Sequence, residues 1–309
     1  MNIVITGGSG LLAGRLAKSL SNKHNISLVS RKNIKANFSE TSLNTFIYRN
    51  VEDLKNVFKN QDIVVLAGGP NHNDSANKSI VDTYTDEIRD IISFINKDLV
   101  QKLIFLSSIR SVSENFSGDI NENTTVKPST PYGQMKASIE NIVLNGENSE
   151  KMKRVVLRIT NGYGFPIHNK TQCWDLVVMN VCRQAINKGN IKINSSGENF
   201  KDFLPISAIE SAIADIISLN LRTNEVFNVS SGNSQKVIDF IRYVKELIEK
   251  RISLSIPLSI GESSLGLNTD KFRIDNSKLT RYGCDIDINH EREINSLIDF
   301  CVNNKESRG

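Results

Sequence analysis

Residues 1–17 read MNIVITGGSGLLAGRLA and combine a short apolar segment, a glycine-rich turn and the start of an amphipathic segment. Residues 1–6 are mostly apolar and β-branched, which predicts a buried strand. Glycines follow at positions 7, 8 and 10, and leucines then recur at helical spacing at positions 11, 12 and 16. A strand, a glycine turn and a helix in this order bring backbone N–H groups to a helix N-terminus, where a dinucleotide pyrophosphate binds. The stretch therefore predicts a dinucleotide site.

The composition is that of a globular protein without an obvious macromolecular partner. The chain has 309 residues, of which 39% are hydrophobic and 23% charged, so it can bury a large core. Its net charge of +4 is spread along the chain without a basic block, which argues against nucleic-acid binding. No run approaches the ~20 apolar residues of a membrane span, and the N-terminus lacks a basic signal-peptide region, so we expect a cytoplasmic protein with no membrane partner. The four cysteines lack CxxC spacing, so no metal site is predicted.

Strand-like and helix-like segments alternate along the first half of the chain. Apolar, β-branched segments predict further strands at 25–30, 45–49, 62–68, 102–108 and 155–160. Isoleucines at helical spacing predict a helix over 79–97. Such alternation is typical of a doubly wound parallel α/β sheet that binds ligands at the carboxyl ends of its strands.

The pattern loosens after residue 165 into shorter segments. They predict helices near 173–188 and at 234–250, and strands at 192–194 and 225–230. We interpret them as a smaller α/β lobe for the substrate. The expected organisation is a dinucleotide-binding domain at 1–164 and a lobe, interleaved with it, at 165–309.

Polar residues with catalytic potential follow two of these elements. The strand predicted at 102–108 ends in Ser107 and Ser108. Downstream, Tyr132 and Lys136 lie four positions apart at the expected start of a helix, so their side chains share one face. A cation next to a phenol stabilises the phenolate, and such a tyrosine exchanges a proton with a carbonyl or carbinol oxygen while a nicotinamide exchanges the hydride. With a serine hydroxyl to hold that oxygen, the combination predicts dinucleotide-dependent redox chemistry.

Seven motifs spaced along the chain together resemble one protein family. They are TGGSGLLA (6–13), LSSIRSV (106–112), YGQMK (132–136), LRITNGYG (157–164), SGENFKDFLPIS (196–207), EVFNVSSG (225–232) and DNSKLTRYG (275–283). Their order and spacing resemble the extended short-chain dehydrogenase/reductases of the NAD-dependent epimerase/dehydratase family over nearly the whole length. The resemblance implies a Rossmann-type fold with a smaller C-terminal substrate lobe, a nucleoside-diphosphate-sugar substrate and a homodimer.

The resemblance also implies roles for individual residues. Tyr132 would be the catalytic acid/base, Lys136 its partner and ribose ligand, and Ser108 the hydroxyl that polarises the substrate oxygen, with Ser107 as an alternative. The implied cofactor-binding residues are Gly7, Gly10, Leu11, Leu12, Ser30, Arg31, Asn50, Val51, Ala67, Gly68, Tyr132 and Lys136. The implied substrate-binding residues are Ser108, Asn161, Trp174 and Lys201. Trp174 would either stack on the nucleotide base or pack in the core or a lid.

The residues after the second strand bear on the choice of cofactor. Members of the family that select NAD usually end this strand in an acidic residue, which hydrogen-bonds the ribose hydroxyls. Here Ser30 is followed by Arg31 and Lys32, which would attract a 2′-phosphate. We therefore expect NADP, with NAD as the alternative.

The residues after the serine pair bear on the reaction. The family's 4,6-dehydratases carry an Asp-Glu pair directly after the catalytic hydroxyl, whereas this chain has Ile109 and Arg110 there. Dehydration is therefore not expected, which leaves 4-keto reduction, 4-oxidation or 4-epimerisation. The expected NADP preference favours a 4-keto-sugar reductase over a 4-epimerase with retained NAD. A non-catalytic dinucleotide sensor is disfavoured because Tyr132, Lys136 and the serine are all present.

The helices expected at 79–97 and 132–147 correspond to the pair that forms the dimer interface in this family. Their apolar residues include Ile88, Ile92 and Ile139. These side chains would either line that interface or cover the sheet, and both alternatives are open from the sequence.

Overall fold

The computed structural model describes residues 1–38, 43–95, 99–146, 152–262 and 270–305. The strands in these ranges are β1 (Asn2–Thr6), β2 (Asn25–Ser30), β3 (Asn44–Ile47), β4 (Ile63–Leu66), β5 (Lys102–Ser108), β6 (Gly118–Ile120), β7 (Lys153–Ile159), β8 (Asn161–Tyr163), β9 (Ile191–Ile193), β10 (Phe200–Pro205), β11 (Glu225–Val229), β12 (Ser234–Lys236), β13 (Leu258–Ile260) and β14 (Phe272–Ile274). The helices are α1 (Leu11–Leu20), α2 (Lys55–Phe58), α3 (Lys78–Phe94), α4 (Pro131–Leu144), α5 (Val177–Lys188), α6 (Ile206–Ser218), α7 (Val237–Ile252), α8 (Ser277–Arg281) and α9 (His290–Asn303).

Seven of the strands form one parallel sheet in the order β11-β7-β5-β4-β1-β2-β3. Strand β1 lies between β2 and β4, so that Ile3 pairs with Ile26 on one side and with Ile63 on the other. The chain therefore winds outward from β1 to β3, returns, and winds outward from β4 in the opposite direction. Such a reversal opens a crevice at the carboxyl ends of the two central strands, where doubly wound folds bind their ligands. The predicted doubly wound, Rossmann-type sheet is confirmed.

Helices cover both faces of this sheet because its strands are apolar on both sides. Ile3 and Ile5 of β1 join the core shared with α1 and α6, whereas Val4 between them joins the core shared with α3 and α4. Ile88 of α3 and Ile139 of α4, both considered for a dimer interface, are 1% and 0% exposed within this second core. They cover the sheet of their own chain. A homodimer, which stays a prediction, would have to use other side chains.

A further apolar core lies between α5, α7, α9 and the short strands β8 and β10. Each of the five elements contributes a buried side chain to it: Tyr163, Cys182, Phe203, Phe240 and Leu297. Strand β10 also pairs with β8 and β12 in a three-stranded sheet. These elements form a smaller body, and β8, which begins two residues after the end of β7, connects it to the central sheet.

One segment of the C-terminal half belongs to the central sheet and not to the lobe. The sequence pattern suggested that 225–230 lies in the lobe, but β11 forms an edge of the seven-stranded sheet, in register with β7. Phe227 and Val229 are fully buried in the core that contains α6. The pairing joins segments far apart in the chain, so no local pattern reveals it.

A buried ion cluster joins α1, the helix after the glycine turn, to two C-terminal helices. Arg15 of α1 pairs with Glu210 of α6 at 2.8 Å and with Glu293 of α9 at 2.9 Å. Although burial opposes the charge, the two carboxylates raise the pKa of Arg15 overall. Breaking a buried pair of this kind costs about 3–5 kcal/mol. The cluster therefore holds the N-terminal end of α1 in a defined position.

Candidate active site

The glycine turn after β1 touches the end of β4 at the crevice. Gly7 has a φ of +77°, and a Cβ atom built on it would lie 2.5 Å from Gly68 Cα. Gly10 closes the turn by donating its N–H to the Gly7 carbonyl at 2.8 Å, and it directly precedes α1. The first N–H groups of α1, which begins with Leu11 and Leu12, have no intrahelical acceptors. The turn thus combines open space with free backbone donors, which is what a pyrophosphate requires.

The backbone at the end of β4 is fixed by two neighbouring side chains. Thr6 Oγ1 accepts the N–H groups of Ala67 and Gly68, at 3.1 and 3.4 Å. The Tyr84 hydroxyl of α3 donates to the Gly68 carbonyl at 2.7 Å. These three hydrogen bonds hold the backbone at the base of the crevice in position, and none of them was evident from the sequence.

The two serines at the end of β5 make different contacts. Ser107 is buried, and its hydroxyl donates to Glu140 Oε1 at 2.5 Å. Glu140 pairs in turn with Arg158 at 2.8 Å. Ser108 is only half-buried, and its Oγ accepts the N–H of Arg110 at 3.3 Å, which leaves the hydroxyl proton free to be donated. Ser108 is therefore the serine available to a ligand.

Tyr132 and Lys136 lie on the first turns of α4, against the end of β5. The helix begins at Pro131, and the Thr130 hydroxyl caps it by accepting the N–H of Gly133 at 3.2 Å. Lys136 is buried, and its Nζ donates to the Leu106 carbonyl at 3.1 Å. The same Nζ lies 5.8 Å from the centre of the Tyr132 ring. The ammonium is thus held between the end of β5 and the half-buried tyrosine.

Glu114 connects the start of α4 to the segment that follows β5. Its carboxylate accepts the Ser129 N–H and hydroxyl, each at 2.8 Å, and the Thr130 hydroxyl. Burial opposes the charge, but these hydrogen bonds hold the pKa of Glu114 below its usual value. Gly133 packs so closely here that a Cβ atom on it would lie 2.5 Å from the Arg110 carbonyl oxygen. The position of the Tyr132 helix relative to Ser108 depends on this contact.

The end of the crevice expected to hold the adenosine contains a carboxylate that the sequence did not indicate. Ser30 is buried, whereas Arg31 is exposed at the end of β2. Glu87 of α3 accepts a hydrogen bond from the Tyr48 hydroxyl, and burial together with this carboxylate raises the pKa of Tyr48. The charge of Arg31 acts on the same hydroxyl. The sequence did not indicate Glu87 because it lies within a helical pattern, and nothing local shows that its side chain reaches Tyr48, just after β3.

Asn50 and Val51 begin a short 3₁₀ turn after β3. Asn50 Oδ1 accepts the Glu52 N–H at 3.2 Å, and the Asp53 carboxylate accepts the Asn50 N–H at 3.2 Å. The amide oxygen of Asn50 is thus used within the chain. Only its amide nitrogen is left for a cofactor.

A cavity of about 230 Å³ lies between the end of β5, β8, β10 and β14. It brings together Asn161 and Lys201, both predicted to bind substrate, with Ile109 and Arg110. Asn161 Nδ2 donates to the Asp202 carbonyl at 3.0 Å, so its amide oxygen faces no partner among the described residues. Arg110 was used in the sequence analysis only to exclude dehydration, and its place beside Lys201 was not foreseen.

Trp174 is not among the described residues that line this cavity. It lies before α5, which begins at Val177 and not near 173. Its indole N–H donates to the Asn169 carbonyl at 2.9 Å, and its ring stacks on Phe300 with centres 6.3 Å apart. Trp174 was expected either to stack on the nucleotide base or to pack in the core or a lid, and these contacts correspond to packing.

Buried charges in and beside the cavity have shifted acidities. Burial lowers the pKa of Lys201, and the positive charge of Arg110 lowers it further. Burial raises the pKa of Asp202 to about 6, although its Oδ1 accepts the Thr160 hydroxyl at 2.8 Å and the Ser231 N–H at 2.9 Å. Lys201 and Asp202 therefore lie where charge is poorly solvated.

Two negative findings apply to the described ranges. No three His, Cys, Asp or Glu side chains in them are grouped so as to hold a metal ion. No helix in them is long and apolar enough to cross a membrane.

A family model described as "NAD dependent epimerase/dehydratase family" matches residues 3–230 of the chain, which is well over half of it. The chain belongs to this family. The resemblance seen in the sequence motifs is thereby confirmed, and the protein is an enzyme of the short-chain dehydrogenase/reductase type.

Relatives of this epimerase/dehydratase-family enzyme are distant. It is 22% identical over 273 residues to an uncharacterized UDP-glucose epimerase, YtcB, of Bacillus subtilis (strain 168), and this match covers 82% of the chain and 84% of that protein. It is 24% identical over 132 residues to a dTDP-glucose 4,6-dehydratase of Escherichia coli, a match that covers 43% of the chain and only 35% of the dehydratase. Among solved structures it resembles the UDP-N-acetylglucosamine 4-epimerase from Methanobrevibacter ruminantium M1, with a TM-score of 0.83, 20% identity and 98% of both chains covered. It also resembles MoeE5 in complex with UDP-glucose and NAD, with a TM-score of 0.81, 18% identity and 98% and 99% of the chains covered.

Proposed function

We propose that this family member transfers a hydride between a nicotinamide dinucleotide and C4 of a nucleotide sugar, and that it acts as a 4-keto-sugar reductase. The observation that carries the proposal is the position of Tyr132, one turn from Lys136, whose ammonium is bound at the end of β5, the strand that ends in Ser108. The family membership and the nucleotide sugars named with its structural relatives support the substrate class.

In carbonyl reduction, Tyr132, Lys136 and Ser108 would each have a separate role. The nicotinamide, when bound, supplies the hydride that adds to the carbonyl carbon. Tyr132 donates its phenolic proton to the carbonyl oxygen, and the Lys136 ammonium stabilises the phenolate that is left. The Ser108 hydroxyl donates a hydrogen bond to the same oxygen and so stabilises the negative charge that develops there.

The glycine turn fits a dinucleotide. Any side chain at Gly7 would collide with Gly68, so the space between the ends of β1 and β4 depends on the missing side chain of Gly7. Gly7, Gly10 and the N-terminus of α1 would hold the pyrophosphate. Asn161 and Lys201 would hold the diphosphate of the sugar nucleotide in the cavity next to Ser108.

The choice of NADP, and with it the reductase, is supported by Arg31. Its guanidinium is exposed at the end of β2 and has no ion-pair partner among the described residues, so it can bind a 2′-phosphate. A reductase releases its oxidised cofactor after each turnover and draws on the reducing NADPH pool.

A 4-epimerase with retained NAD is the second candidate, and Glu87 favours it. The Glu87 carboxylate, bound to the Tyr48 hydroxyl near Arg31, would repel a 2′-phosphate and suits a ribose diol instead. One solved relative is named a UDP-N-acetylglucosamine 4-epimerase, and another, MoeE5, is named in complex with NAD. Such an enzyme would oxidise C4 and return the hydride to the opposite face.

Tyr132→Phe tests the proposed chemistry because it removes the proton and keeps the ring. We expect kcat on nucleotide sugars to fall at least about 10²-fold while dinucleotide affinity is retained. Tyr282→Phe, an exposed tyrosine after α8, is the matched control and should turn over like the wild type. Unchanged turnover in Tyr132→Phe would exclude the proposed mechanism.

The identity of the cofactor and the choice between reductase and 4-epimerase are tested by denaturing the purified protein and identifying any released dinucleotide. An empty site that binds NADPH supports the reductase, and tightly retained NAD supports the 4-epimerase. Arg31→Ser should weaken NADPH binding at least about tenfold more than NADH binding, and Glu87→Gln should strengthen NADPH binding. Equal losses for both dinucleotides in Arg31→Ser would show that NADP is the wrong choice.

A further inference from the structure

We infer that Arg110 is a diphosphate-binding residue, which acts together with Lys201 from a different element of the same substrate cavity. The inference rests on the proposed function, because it requires a nucleoside diphosphate in this cavity. It assigns a binding role to a residue that lies directly beside the catalytic machinery.

Arg110 and Lys201 reach the cavity from different elements. Arg110 lies in the short turn after β5, two residues beyond Ser108, and Lys201 lies on β10. Both side chains line the same cavity of about 230 Å³, and both residues are half-buried. They are close enough for the charge of Arg110 to act on Lys201. Two cations thus share one small cavity, in which burial of Lys201 makes its charge poorly solvated.

Neither cation is neutralised by the part of the chain that the structure describes. No carboxylate of these residues lies within ion-pair distance of the Arg110 or Lys201 side chains. Three acids also line the cavity, namely Glu114, Asp202 and Asp270. Glu114 is bound by Ser129 and Thr130. Asp202 is bound on one oxygen by Thr160 and by the Ser231 N–H. Arg110 and Lys201 therefore keep their donors free of ion pairs within the described residues, so a ligand in the cavity can use them.

A diphosphate fits this arrangement better than a single negative group does. Like charges held together in a region of low polarity repel one another, and a ligand with two negative phosphates turns that cost into binding. The guanidinium of Arg110 offers a planar fork for two phosphate oxygens, whereas Lys201 offers a point charge. Asn161 lines the same cavity. Ser108 lies two residues before Arg110 and accepts its N–H, so a diphosphate bound by Arg110 would direct the attached sugar toward Ser108.

Calorimetric titration with UDP and with dTDP tests this role, using whichever binds the wild type more tightly. We expect Arg110→Gln to weaken that binding at least about tenfold, Arg110→Lys to recover part of the loss, and binding of the nucleoside without phosphates to be unchanged. Arg242→Gln, an exposed arginine on α7, is the matched control and should bind like the wild type. Because Arg110 has no ion pair to lose, the Tm of Arg110→Gln should be unchanged or raised.

The outcomes separate this inference from the proposed function. If Arg110→Gln binds the nucleoside diphosphate as tightly as the wild type, Arg110 has no such role. If it loses affinity only for UDP-glucuronic acid and not for UDP, Arg110 contacts an acidic sugar instead and the diphosphate assignment is wrong. If the wild type binds neither UDP nor dTDP, the proposed nucleotide-sugar function fails. Tyr132→Phe should bind the diphosphate normally in every case where the proposed function holds.

Discussion

The Ser107 hydroxyl donates a hydrogen bond to Glu140 Oε1 across 2.5 Å, and this bond gives two adjacent serines different surroundings. Glu140 also pairs with Arg158, so Ser107 belongs to a buried network between β5, α4 and β7. Ser108, one residue further, has its hydroxyl proton available at the end of the strand. The bond thus distinguishes the two serines that the sequence left as alternatives, and it supports the proposal that Ser108 is the catalytic hydroxyl.

Ser108→Ala should lower kcat about 10²-fold, because a hydroxyl that stabilises developing negative charge on the substrate oxygen is lost. The matched variant Ser107→Ala should keep most of the activity but lose about 1–3 kcal/mol of unfolding free energy, because Glu140 loses a buried donor. Steady-state kinetics and urea unfolding of both variants check the pair. The reverse pattern, with Ser107→Ala inactive and Ser108→Ala active, would assign the catalytic hydroxyl to Ser107.

Gly133→Ala should impair catalysis without touching a reacting group. The added Cβ would lie 2.5 Å from the Arg110 carbonyl oxygen and 2.9 Å from Pro128, so the start of α4 must move away from β5 and carry Tyr132 with it. We expect kcat to fall at least about tenfold and the unfolding free energy to fall by about 1–3 kcal/mol. Ser138→Ala, on the exposed side of the same helix, should change neither quantity. A fully active Gly133→Ala would show that Tyr132 tolerates displacement.

Gly7→Ala should abolish dinucleotide binding and destabilise the fold. The alanine would adopt a positive φ and meet Gly68 at 2.5 Å, on the floor of the crevice. Gly14→Ala is an informative control. Gly14 lies inside α1, and a Cβ atom on it would make an ordinary contact with Ile167 at 3.4 Å. It should bind the dinucleotide normally and gain up to about 1 kcal/mol from helix propensity. NADPH fluorescence titration and urea unfolding measure both effects, and normal binding by Gly7→Ala would place the pyrophosphate elsewhere.

Asp202 should make stability fall as the pH rises from about 4 to about 6. Burial raises the pKa of Asp202 to about 6 from a usual value of 3.8, so the folded chain keeps this proton over a range where the unfolded chain has released it. The folded state is therefore favoured below this range, loses that advantage through it, and shows no further change above it. The effect is at most about 3 kcal/mol.

Asp202→Asn isolates this effect, since its amide oxygen can still accept the Thr160 hydroxyl but does not titrate. Unfolding free energies of the wild type and the variant should be compared at pH 4 and pH 6.5. The variant should gain stability relative to the wild type as the pH rises. A difference that is constant with pH would mean that Asp202 titrates at its usual value.

Sequence periodicity was sufficient for the central architecture because neighbouring residues decide it. β2 and β5 have the predicted bounds of 25–30 and 102–108, and the turn at Gly7 follows β1 as expected. Tyr132 and Lys136 lie on the same face of α4, because residues four positions apart do so in any α-helix. Alternation of strands and helices also leaves few topologies for a parallel sheet, so the crevice was predictable as well.

What the sequence alone determined about this protein is therefore the kind of chemistry: a dinucleotide turn, a tyrosine with its lysine, and the family to which their spacing belongs. Only the tertiary structure decided which serine is available, brought Glu87 to the Tyr48 hydroxyl and placed Arg110 and Lys201 in one cavity. Those relationships are hydrogen bonds and charge interactions between elements far apart in the chain. Their strength depends on distance in space and on burial, and neither quantity is encoded in the local spacing of residues.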